Sequence, residues 1–168
     1  MRKFLDELRD TESALSRYIR KLWCDPRSGA QQPYVIQEPA TPRELQVLET
    51  LGGRDLLSIY TVCNGLILCA PGQYRGLLIY AIDEIPAGNE YWKAWFDDLE
   101  EDELWDFQKH GLAFGEILES GNYLVAYGGQ VYFADHEGAE MDEPWAASVN
   151  EFFDRIAHEP DEYLDRML

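Results

Sequence analysis

Three apolar runs late in the chain, residues 112–118, 123–127 and 130–135, are joined by only four and two residues. Connections that short bring a strand back antiparallel, because a parallel neighbour needs a crossover of roughly a dozen residues. The joints carry matching chemistry. Glu119-Ser120-Gly121-Asn122 and Gly128-Gly129 supply the positive φ angles that tight hairpins require. Residues 66–69 and 77–82 are strand-like in the same way and flank a Pro71-Gly72 turn. A central, mostly antiparallel sheet of about five strands is predicted.

Helical spacing surrounds this sheet. Phe4, Leu8, Leu15, Tyr18, Ile19, Leu22 and Trp23 predict one amphipathic helix over residues 2–23, followed by a loop to about Pro39. Thr41-Pro42-Arg43-Glu44 has the form of a capping box with proline at the first helical position, and Gly52-Gly53 stops that helix. Asp55 is placed to cap a second short helix, which ends at Asn64-Gly65. Residues 89–110 return to helical spacing as one broken helix or two. Ser148-Val149-Asn150-Glu151 opens a last helix carrying Phe152, Phe153 and Ile156 and ending near Pro160. The expected class is α+β: N-terminal helices, the sheet, and a C-terminal helix packed on it. The whole chain, 1–168, reads as one domain, with an N-terminal helix and loop (1–38), a core (39–157) and a C-terminal tail (158–168).

With 168 residues, 46% of them hydrophobic, the chain can bury a real core. Its formal charge of −18 comes from 14 basic and 32 acidic residues. Residues 1–30 hold 7 basic and 5 acidic side chains, so the remainder has 7 against 27. Direct nucleic-acid binding is disfavoured, since it needs cations to displace phosphate counterions. A basic protein partner is favoured, because such a field steers cationic surfaces. The same charge also serves solubility. No apolar run reaches transmembrane length, and Cys24, Cys63 and Cys69 form no disulfide framework. The expectation is a cytoplasmic protein away from membranes, with each cysteine a small buried residue.

Motifs for chemistry are sparse. A nucleophilic cysteine would need His110, His136 or His158 beside Cys63 or Cys69, yet both thiols sit in apolar patterns. Nothing matches a G-x-S-x-G elbow, a dinucleotide fingerprint or a P-loop. Asp135-His136-Glu137, with Glu140 and Asp142, could offer oxygen and imidazole donors to a metal, but at no known ligand spacing. The expectation is no catalytic residue, no metal and no cofactor. For binding, the acidic run Asp97, Asp98, Glu100, Glu101, Asp102 and Glu103 is flanked by Trp92, Trp95, Phe96 and Trp105. Together with Asp135, Glu137, Glu140 and Asp142 it forms the candidate partner-binding set, aromatic anchors beside a steering rim. An ordinary amphipathic helix, with aromatics inward and carboxylates outward, explains most of these aromatics as well.

Several strings, in this order, resemble the SUKH superfamily over residues 40–157. They are Pro39-Ala40-Thr41 with Glu44 and Leu48, then Leu56-Leu57-Ser58-Ile59-Tyr60 leading to Asn64-Gly65. Phe114-Gly115-Glu116 with Ser120-Gly121-Asn122-Tyr123 follows, then residues 129–137, and finally Ala147-Ser148-Val149 with Phe152-Phe153. Leu56-Leu57 stands where members often have Leu-Pro, and the 89–110 segment is long. The resemblance implies an immunity protein that occludes a cognate bacterial toxin, such as a nuclease with a basic cleft. It implies, alternatively, a non-catalytic regulatory scaffold like the eukaryotic relatives. A hydrolase using a metal on the 135–142 loop is the reading from a different class.

Overall fold

The computed structural model describes residues 1–23, 34–68, 76–94, 102–118, 120–134 and 143–167, with the backbone alone at 21–23, 102–105 and 165–167. In chain order, α1 (Arg2–Arg9) and α2 (Ala14–Trp23) lead to β1 (Tyr34–Ile36) and α3 (Pro42–Thr50). A 3-10 turn at Arg54–Leu56 then precedes α4 (Leu57–Tyr60), β2 (Leu66–Leu68) and β3 (Leu77–Ile79). Next come α5 (Ile85–Ala94), α6 (Asp102–His110), β4 (Leu112–Ile117), β5 (Asn122–Tyr127) and β6 (Gln130–Ala134). Two helices close the fold, α7 (Val149–His158) and α8 (Pro160–Met167). It is an α+β domain. The six strands pair in sequence order, each antiparallel to the next.

Local chemistry sets the element ends. Gly128 and Gly129 have φ of 58° and 81°, so two residues of left-handed backbone turn β5 into β6 with Tyr127 opposite Gln130. At α3, the Thr41 hydroxyl accepts from the Glu44 amide while the Glu44 carboxylate accepts from the Thr41 amide at 2.7 Å. The Thr41 hydroxyl, which also donates to that carboxylate at 2.7 Å, and then the Thr41 amide hold the Glu44 carboxyl below its ordinary range. Ser148 caps α7, but Glu151 reaches one residue further back than a capping box requires, taking the Ala147 amide at 2.8 Å.

Several expectations are corrected. The helix expected over 2–23 is two helices, because the Ser13 hydroxyl accepts from the Ser16 amide and starts α2 afresh, while Asp10 turns extended. Part of the expected loop is a sixth strand: β1 pairs Tyr34 with Leu68 and Ile36 with Leu66. Asp55 caps nothing; it lies inside the 3-10 turn, whose cap position is Gly53. The second strand of the first hairpin ends at Ile79, and α5 begins at Ile85 rather than Asn89. The C-terminal tail is largely α8, which buries Tyr163 and Leu164.

The core lies on both faces of the sheet. On one face Leu66, Leu68, Leu77, Ile79, Phe114 and Leu124 pack with Phe4 and Leu8 of α1, Leu48 of α3, and Phe152, Phe153 and Ile156 of α7. Burying aliphatic and aromatic side chains of this size stabilises by roughly 1.5–3 kcal/mol each. The Phe4 and Phe153 rings meet at 5.1 Å, so the N-terminal helices belong to the same core as the C-terminal ones. The described residues cover the other face only in part. There α5 and α6 lay Trp92 and Phe107 over Ala113, Tyr123, Val125 and Ala134, leaving the β1–β3 end outside that second cluster.

Candidate functional site

Side chains alternate across a strand, so one cross-strand register row marks one face of the sheet. Val35, Ile67, Leu78, Glu116, Tyr123 and Ala134 form such a row across all six strands. Tyr123 and Ala134 lie beneath α5 and α6, whereas Val35 is 50% exposed and Ile67, Leu78 and Glu116 are partly exposed. Strands sit about 4.8 Å apart, so the uncovered part runs about 14 Å from Val35 to Glu116.

A carboxylate therefore stands where the apolar strip meets the covered half. Glu116 is held in place: the buried Tyr80 hydroxyl donates to its Oε2 at 2.8 Å. Burial first, and this bond second, push the Tyr80 phenol well above its ordinary value, so Tyr80 is a fixed donor. The Tyr80 ring is fixed in turn by Gly88 of α5, where a Cβ would come within 2.4 Å of it. One turn further along α5, Tyr91 is 71% exposed. On the strand beneath, burial first and the Glu116 carboxylate second raise the Tyr123 phenol above its ordinary value. Asp83, Glu84 and Glu90 are exposed at the start and along the outside of α5. Apolar surface and a pre-oriented carboxylate thus share one face of the sheet, with Tyr91 exposed on the helix that borders it.

Two buried asparagines hold this region together. Asn89 of α5 donates to the Ile85 and Ala113 carbonyls, each at 2.8 Å, and accepts from the Ala113 amide at 3.0 Å. Ala113 sits where the β4–β5 register shifts, so the side chain satisfies strand groups beside a bulge. Asn64 accepts from the Ile82 amide at 2.9 Å and donates to Glu44 at 3.2 Å, tying the end of the α4 segment to α3 and to the entry of α5. The sequence pattern puts Asn64 at a helix end and Asn89 at a helix start. Their partners are distant in sequence, so no local pattern points to them.

Of the acidic residues expected to bind a partner, Asp97, Asp98, Glu100, Glu101, Asp135, Glu137, Glu140 and Asp142 lie outside the described residues. Asp102 and Glu103 fall in the first turn of α6, their side chains likewise outside. His136, Cys24, Cys69, Trp95 and Phe96 are also outside, as is the side chain of Trp105. Trp92 is fully buried, with the Phe107 ring edge-on at 5.5 Å, as an amphipathic helix requires. Tyr91 and Glu116, which that reading did not single out, are the exposed aromatic and the placed carboxylate.

Cys63 is buried, and burial pushes its thiol up to about 11 despite an opposing hydrogen bond with the Gly65 backbone. It offers no thiolate at neutral pH. His110 lies 3.6 Å from Asp106 at the exposed end of α6, and His158 contacts Lys3 and the Asp154 carbonyl on α7. Asp106 also accepts from the Tyr127 hydroxyl, a bond that raises the phenol pKa rather than activating it. Among the described residues no group of three or more histidine, cysteine, aspartate or glutamate side chains could hold a metal ion, and no helix is long and apolar enough to cross a membrane. The fold and this face define an acidic α+β domain that carries a partly open, carboxylate-bordered sheet surface. No protein-family model matches the chain, and no curated protein does either.

Proposed function

We propose that the chain is an immunity protein of the SUKH type, a non-catalytic cytoplasmic domain that binds a basic toxin domain and covers its working surface. One observation carries the reading. A domain with 32 acidic and 14 basic residues keeps Val35 exposed on a sheet face whose far end carries a carboxylate that a buried tyrosine holds in place, with Tyr91 exposed on α5. Apolar and aromatic anchors hold a complex by slowing dissociation, while the surrounding negative field speeds encounter with a cationic partner. The order of elements, two short helices after a capping box, a meander and a closing helix, supports the resemblance noted in the sequence.

The test is coexpression of the neighbouring gene's product with and without this chain, scored by cell survival. Protection, with an association rate that falls about tenfold or more between low and high salt, is the expected result. Survival that does not depend on the chain would refute the assignment. A salt-independent association rate would remove electrostatic steering from it.

A further inference from the structure

We infer that the row Val35, Ile67, Leu78 and Glu116 is the partner-docking strip, and that its occupant is an extended protein segment seating an arginine on Glu116, with the apolar side chain two residues before it laid over the apolar part of the row. This deepens the reading of the domain as a protein-binding antidote and rests on it. Three observations choose the occupant. First, the strip is apolar along three strands and ends in a carboxylate, so an apolar segment with one terminal cation matches it in order and in charge. Second, the carboxylate is oriented before binding, since Tyr80 takes Oε2 and is itself buried, and no ion pair among the described residues involves Glu116. Third, Tyr123 is Glu116's cross-strand partner, Tyr91 is exposed on the helix α5, and Asp83, Glu84 and Glu90 are exposed just before and on that helix. A planar guanidinium stacks on aromatic faces while donating to a carboxylate, which a lysine ammonium does less well. An acidic or wholly apolar partner would leave Glu116 unpaired against apolar surface, at a cost.

The length agrees as well. About 14 Å accommodates roughly four residues of extended chain, of which the second and fourth side chains face the sheet. The probe is a capped tetrapeptide, Val-Leu-Val-Arg with acetyl and amide ends, titrated into the full chain and followed by amide shifts in NMR. A second peptide carries citrulline, which keeps the shape of arginine and removes the charge. Saturable shifts at Ile67, Leu78, Glu116 and Tyr123 are expected, with the citrulline peptide weaker by about tenfold. Glu116→Gln should reduce the arginine peptide to the citrulline level, and Val35→Asp, at a half-exposed position, should weaken both peptides. Shifts centred elsewhere, no saturation, or equal binding of the two peptides would overturn the strip. The two readings fail separately: protection of cells without peptide binding leaves the antidote and removes the strip, and the reverse leaves the strip and removes the antidote.

Discussion

Replacing Asn89 by alanine removes three hydrogen bonds from the point where α5 grips β4. The Ile85 carbonyl keeps its place in the helix ladder, so the damage falls on Ala113, whose N–H and C=O both lose their partner. Ala113 is fully buried beneath Trp92, and a buried backbone group without a partner costs about 1–3 kcal/mol. Two such groups give about 3 kcal/mol once partial access of water is allowed. At about 2–4 °C per kcal/mol for a domain of this size, the midpoint of thermal unfolding should fall by about 10 °C. Urea unfolding followed by tryptophan fluorescence should show a lower midpoint with an unchanged slope. Native-state exchange of the Ala113 amide should accelerate by more than the global loss explains. Gln46→Ala, on the exposed side of α3, serves as control and should stay within about 0.5 kcal/mol. A loss below about 1 kcal/mol for Asn89→Ala would mean that the bulge is satisfied some other way, and the account of Asn89 would be wrong.

Two further outcomes concern Gly88 and Cys63. Gly88→Ala should destabilise by about 1–3 kcal/mol, because the added methyl meets the Tyr80 ring, although glycine to alanine inside a helix ordinarily stabilises by up to about 1 kcal/mol; a more stable variant in urea would contradict the contact. Cys63 should resist iodoacetamide in the native domain at pH 8, read by mass spectrometry. Because its folded pKa of about 11 lies above the unfolded value of about 8.5, its contribution is complete below pH 8.5 and is lost as pH rises through 11. The stability difference between the natural chain and Cys63→Ala should narrow over that window, and a difference independent of pH would exclude the linkage.

What could be read from the residues was local. The Thr41 box, the Gly128-Gly129 turn and the Ser148 cap each complete their hydrogen bonds within four residues, and all three stand where the spacing put them. The break at Asp10–Ser13 was hidden by its own regularity: Leu8 and Leu15 are seven residues apart, so the apolar stripe keeps phase across a gap that only the Ser13 side chain reveals. Strand β1 is three residues long, and its identity comes from a pairing with β2 some thirty positions on, which no window of sequence contains. The site was legible only in kind. The runs of carboxylates that the sequence brings forward lie outside the described residues, whereas Glu116, inside a strand, is a carboxylate the structure holds in place. Its orientation comes from Tyr80, thirty-six residues earlier, and from a glycine that lets α5 approach.

The pleat of the first three strands has an evolutionary corollary. Tyr34, Ile36, Leu66, Leu68, Leu77 and Ile79 point to the interior, while the residues between them, Val35, Ile67 and Leu78, look the other way. On the docking proposed above, anchoring and recognition would be written on alternate letters of the same words. Mutation would then respell the outward letters to suit a new partner while the inward ones go on holding the domain together.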